Sequence, residues 1–135
     1  MLYKSILLVD DDLEDAEILF QAIRSLEEKI VCRIDTNPTK ALEDLKKAEN
    51  LPDHIFLDLN MPTFSGLEFL QELKKEERLA NIKIILYSGH SKEFMDKLCQ
   101  NFEGVTCIKK PDNYQELVAV LTNIQSSKPK ATSFS

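Results

Sequence analysis

No apolar run in the 135 residues approaches the roughly 20 consecutive positions that a membrane-spanning helix needs. The first residues, MLYK, carry no secretory signal with a small-residue cleavage site, so the chain is expected in the cytoplasm. Cysteine is scarce. Cys32, Cys99 and Cys107 make an odd count with no CxxC pair, which fits reduced thiols and excludes a disulfide framework. Histidine is scarcer still: His54 and His90 have no partners at zinc-ligand spacing. A positive excess is also missing. Lys and Arg number 17 against 23 Asp and Glu, and a net charge of -6 argues against a nucleic-acid footprint. No helix-turn-helix pattern, linker or low-complexity interior is visible.

What is present is one pattern repeated five times. Hydrophobic residues make up 43% and charged residues 30%, the balance of a globular chain, and the length suits one core. Residues 5–9 (SILLV) are a short apolar run, followed at helical spacing by Leu13, Ala16, Phe20, Ile23 and Leu26. VCRI at 31–34 is a second strand. The NP turn at 37–38 then opens a helix with Ala41, Leu42, Leu45 and Ala48 on one face. HIFLD at 54–58 is a third strand, and Leu67, Leu70 and Leu73 mark the helix after it. IKIILYS at 82–88 is a fourth strand, with Phe94, Leu98 and Phe102 predicting a helix that ends near Gly104. VTCIKK at 105–110 is a fifth strand, and Tyr114, Leu117, Val118, Leu121 and Ile124 predict the last helix. The domain is expected over 1–125, with the small polar residues 126–135 as a flexible tail.

Strands alternating with helices predict an α/β fold: a five-stranded parallel sheet with helices on both faces and strand order 2-1-3-4-5. Ligands in such sheets bind beyond the carboxyl ends of the strands. Those ends carry Asp10 and Asp11, Asp58, Ser88, and Lys110. Three gathered carboxylates left uncompensated would raise at least one pKa strongly. Lys110 supplies one positive charge, and a divalent cation would bring the cluster near neutrality. Oxygen-only ligands suit Mg²⁺. A carboxylate beside Mg²⁺ can attack a phosphoryl group, and Asp58, alone on the central strand, is the natural nucleophile. Gly89 leaves space for the phosphoryl group to approach.

LLVDDD at 7–12, LDLNMP at 57–62, Gly66, YSG at 87–89 and KP at 110–111 resemble a response-regulator receiver domain. The resemblance spans about residues 4–125. It implies a flavodoxin-like fold and phosphotransfer to an aspartate from a sensor histidine kinase or histidine phosphotransfer protein. It also implies Asp58 as phosphoacceptor, with Ser88 and Lys110 contacting the phosphoryl group. Asp11, Asp58 and the Asn60 carbonyl would ligate Mg²⁺, and Asp10 would act mainly through a water. The expected protein is a single-domain switch, a monomer or weak homodimer. It would signal through an unidentified partner protein and would not be an enzyme acting on other substrates.

Competing readings attach to several of these residues. Asp12, with Asp15 three residues on, reads as a helix N-cap outside the pocket. Lys109 should point away from Lys110 on the strand. Receivers commonly carry Tyr or Phe three residues before the lysine; here Cys107 stands there, and its small side chain cannot reproduce an aromatic swing. His90 lies where relatives tune phosphoryl lifetime. An aspartate-dependent phosphatase would need an acid at position 60, and Asn60 cannot transfer a proton. A receiver-shaped interaction module that is never phosphorylated is the remaining alternative.

Overall fold

The five apolar runs are strands β1 (Ser5–Val9), β2 (Val31–Asp35), β3 (His54–Asp58), β4 (Lys83–Ser88) and β5 (Val105–Lys109) in a computed structural model describing residues 5–61 and 65–126. Between them run α1 (Leu13–Leu26), α2 (Pro38–Lys47), α3 (Gly66–Lys75) and α4 (Lys92–Cys99), and α5 (Tyr114–Ser126) follows β5. All pairings are parallel, and the order is β2-β1-β3-β4-β5, as the alternation predicts. Residues 127–135 of the expected tail, and Pro62 in the loop after β3, lie outside the described residues.

Burial on both faces explains why the inner strands read as unbroken apolar runs. Leu7, Leu57 and Leu86 face α2, α3 and α4, meeting Leu45, Phe69, Leu73 and Met95. Ile6, Leu8, Phe56 and Ile85 face α1 and α5, meeting Leu19, Ile23 and Leu121. Each helix start that follows a site-bearing strand is fastened by its own cap. Asp12 accepts from the Glu14 and Asp15 amides at α1, Ser65 and Glu68 form a reciprocal capping box at α3, and Ser91 caps α4.

Some expected core positions differ. α4 ends at Cys99, and Phe102 lies half-buried in the turn beyond it. The Gln100 amide already bonds the Asp96 and Leu98 carbonyls, which closes the helix. Gly104, at φ +75°, serves the turn into β5 instead. Phe94 is 46% exposed and its neighbour Met95 takes the core place. Leu13 and Tyr114 stand out at the first turns of their helices, and Val31 lies on the edge strand, so all three are exposed. No helix among the described residues is long and apolar enough to cross a membrane.

Candidate functional site

β1 emerges from the core at Asp10, which is fully buried, and turns outward at Asp11, which is exposed. Both oxygens of Asp10 are engaged: Oδ1 accepts the Asp12 amide at 2.9 Å and Oδ2 accepts the Tyr87 hydroxyl at 2.7 Å. Two strands of the sheet thus meet on one carboxylate. β3 ends at Asp58, buried beside them, whose Oδ1 accepts the Asn60 amide at 3.2 Å. Asp10, Asp11 and Asp58 each present an oxygen, and these lie within 4.8 Å of one another.

β4 delivers Ser88, fully buried, whose Oγ accepts from Asn60 Nδ2 at 3.0 Å and from the His90 amide at 3.2 Å. His90 Nε2 lies 3.3 Å from Asn60 Oδ1, and its ring packs 4.5 Å from that of Phe94. β5 stops at Lys109, and the next amide, that of Lys110, donates to the Ser88 carbonyl at 2.7 Å. Lys109 is exposed while Lys110 turns inward. Its Nζ lies 3.6 Å from Asp58 Oδ1 and 3.2 Å from Asp15 Oδ2, and 4.9 Å from the centre of the Tyr87 ring. The Lys110–Pro111 peptide is trans, as are all described peptide bonds.

The five polar residues expected at the strand ends, Asp10, Asp11, Asp58, Ser88 and Lys110, therefore come together, with Asn60, which the resemblance adds, beside them. Two further residues join them. Asp15 does not close a capping box on Asp12; the Asp12 amide is taken by Asp10, and Asp15 pairs with Lys110. Tyr87 reads in sequence as one more strand residue. The only available signal is its register beside Asp58, which puts the two on the same face of the sheet.

The electrostatics follow from this crowding. Burial first, and then the Asp10 charge, push the Asp58 carboxyl up to about 7, against the pull of Lys110 and the Asn60 amide. Burial works against the Lys110 ammonium, but the Asp58, Asp10 and Asp15 charges outweigh it and raise its pKa. The Tyr87 phenol is pushed well above its ordinary value by burial and by Asp10, so it acts only as a neutral donor. Excess buried negative charge among oxygen-only donors is what a hard divalent cation relieves, and the residues present fit Mg²⁺.

Two glycines differ in what they do here. A Cβ on Gly66 would lie 2.4 Å from the Asp58 carbonyl oxygen, so α3 starts in direct contact with the Asp58 backbone. A Cβ on Gly89 would meet nothing within 4 Å; that side of the site is open.

Residues 6–122 match the family model of the response regulator receiver domain. Response regulator Rcp1 of Synechocystis is 28% identical over 130 residues, 91% of this chain and 87% of that protein. A CpxR homolog of Haemophilus influenzae, described as a transcriptional regulatory protein, is 29% identical over 84% of this chain but only 47% of its own length. Apart from Rcp1, the chain spans about half or less of the length of the curated relatives it matches. Among solved structures, the phosphorylated cyanobacterial phytochrome response regulator RcpA superposes with a TM-score of 0.78 at 25% identity, covering 92% of both chains. The bacteriophytochrome response regulator RtBRR gives 0.75 at 28% identity, over 90% of this chain and 77% of that one.

Proposed function

The chain belongs to the response regulator receiver domain family, and on that premise we propose that it is a phosphoacceptor switch with Asp58 as the acceptor. The observation that carries the reading is the meeting of the Asp10, Asp11 and Asp58 oxygens within 4.8 Å, with Lys110 Nζ 3.6 Å from Asp58. An Asp58 oxygen attacks phosphorus, and the bond from phosphorus to the donor, a phosphohistidine nitrogen or an acyl phosphate oxygen, breaks. Lys110 follows the charge that moves onto the phosphoryl oxygens, and Ser88 Oγ–H donates to one of them. Asp11, Asp58 and the Asn60 carbonyl would hold Mg²⁺, with Asp10 behind them. When bound, the ion supplies a second positive centre for the phosphoryl oxygens.

Asn60 occupies the position from which a hydrolase would deliver a proton. An asparagine side chain has no acidic proton to deliver, and its Nδ2 donates to Ser88 Oγ, which supports a phosphoacceptor over a hydrolase. The donor is proposed to be a histidine kinase or a histidine phosphotransfer protein. Output is proposed to pass to a separate partner protein. A cytoplasmic setting is part of the same proposal.

Beryllofluoride, a phosphoryl mimic that cannot be transferred, tests this reading. Saturable binding that needs Mg²⁺ and is lost in Asp58→Asn is expected; no binding to the wild type would leave a receiver-shaped interaction module. Lys110→Met tests the second half of the site. It should slow phosphorylation by a small-molecule donor about a hundredfold, the size of effect seen when one charge-stabilising donor is removed. A rate within threefold of wild type would take Lys110 out of the chemistry.

A further inference from the structure

We propose that Tyr87 is a positioning residue for this site: its hydroxyl locks the Asp10 carboxylate and its ring seats Lys110. The inference rests on the receiver reading above. Tyr87 lies on β4 in register with Asp58, yet its hydroxyl reaches past β3 to Asp10 at the end of β1. The donor and acceptor are 5% and 0% exposed, so water does not compete for this 2.7 Å bond. A hydrogen bond to a buried carboxylate is stronger than a neutral one. With the Asp12 amide on Oδ1 and the tyrosine on Oδ2, the Asp10 group cannot rotate. Its free lone pairs therefore point in fixed directions. That is how partners behind metal ligands act on a site without touching the ion.

The ring has a second task. Lys110 Nζ sits 4.9 Å from the ring centroid, between the Asp15 and Asp58 carboxylates. A cation over an aromatic face is attracted to it, and the flat ring limits where a flexible lysine can go. Beside the ring lies a cavity of about 410 Å³ whose walls include Asp15, Ile18, Lys110 and Leu117. The ring forms one wall of that cavity, against the Lys110 ammonium that is held by both Asp15 and Asp58. A tyrosine filling core volume alone would need neither the carboxylate partner nor the lysine contact.

Mg²⁺ titration by calorimetry, without a phosphodonor, separates the possibilities. Tyr87→Phe keeps the ring and removes the hydroxyl; it should weaken Mg²⁺ binding about tenfold. Ile85→Val, a mild truncation on the same face of β4, controls for loosening of the core and should leave Mg²⁺ affinity within twofold. Mg²⁺ should also perturb the tyrosine ultraviolet spectrum of the wild type, and the Tyr87→Phe difference spectrum should lack that signal. Wild-type affinity in Tyr87→Phe, equal losses in both variants, or a Mg²⁺ signal that survives Tyr87→Phe would each overturn the assignment. Absence of Mg²⁺ binding to the wild type would instead overturn the receiver reading, and this inference with it.

Discussion

Asp58→Asn should make the metal-free protein more stable at pH 8, although it removes a residue at the centre of the site. The Asp58 carboxyl is pushed from its ordinary value of 3.8 up to about 7, chiefly by burial and then by Asp10. In the unfolded chain it titrates near its ordinary value. Between about pH 4 and pH 7 the native state therefore holds a proton that the unfolded state has released. Stability must fall as pH rises through that window, and the full penalty is present above pH 7. At about 1.4 kcal/mol per pKa unit the upper limit is about 4 kcal/mol, and solvent at the mouth of the site brings it nearer about 2. Asparagine keeps the shape without the charge. The thermal midpoint in a chelator should rise on the order of 10 °C at pH 8 and change little near pH 4.5. Adding Mg²⁺ should reverse the ranking, because the ion stabilises a wild type that binds it and not the variant. Equal destabilisation by Asp58→Asn at both pH values would show that the carboxylate is not held against its charge.

Gly66→Ala should be the most damaging single methyl group in the described chain. A Cβ there would sit 2.4 Å from the Asp58 carbonyl oxygen and 2.7 Å from Leu59 Cα. Both are backbone atoms, so no side chain can swing aside. Gly66 also donates its amide to the Leu59 carbonyl at 3.0 Å and opens α3 behind the Ser65–Glu68 capping box. Either α3 must move off the sheet, carrying Phe69, Leu70 and Leu73 out of their packing, or the end of β3 must shift with Asp58 on it. Overpacking of a well-filled site costs typically 1–3 kcal/mol, and a clash with fixed backbone belongs at the top of that range or above. Chemical denaturation should show a loss of about 3 kcal/mol, with slower phosphoryl transfer in whatever fraction stays folded. A loss under about 0.5 kcal/mol would mean that the close approach is not maintained in solution.

The strand order and the gathering of the polar strand ends were legible because parallel strands buried on both faces carry long apolar signals. Three of the expected site residues sit where such a signal stops. Asp10, Asp58 and Ser88 are the first polar residues after apolar runs, and parallel topology brings such positions to one edge. What stayed hidden depends on side-chain reach or on local hydrogen bonding. Tyr87 looks like any apolar strand residue until its hydroxyl is seen on Asp10, 77 positions away in sequence. Asp15 fits a capping box until Lys110, 95 positions away, claims it. The end of α4 was misplaced because helical spacing continues through Phe102 after the helix has already closed at Cys99.

Cys107 shows a related limit. Its replacement of an aromatic residue was visible in sequence, but its surroundings were not. It is half-buried against the cluster under α2, α3 and α4, while Cys99 donates to the Val105 carbonyl close by. Burial and a hydrogen bond with Cys99 push the Cys107 thiol well above its ordinary value, so it is a packing residue and a poor nucleophile.

The most direct test of the phosphoacceptor account is intact mass after incubation with acetyl phosphate. Wild type and Asp58→Asn would each be measured with Mg²⁺ and with a chelator. One added phosphoryl group on the wild type with Mg²⁺, and none in the other three samples, is the predicted result. A phosphoryl group on Asp58→Asn, or one gained by the wild type without Mg²⁺, would contradict it.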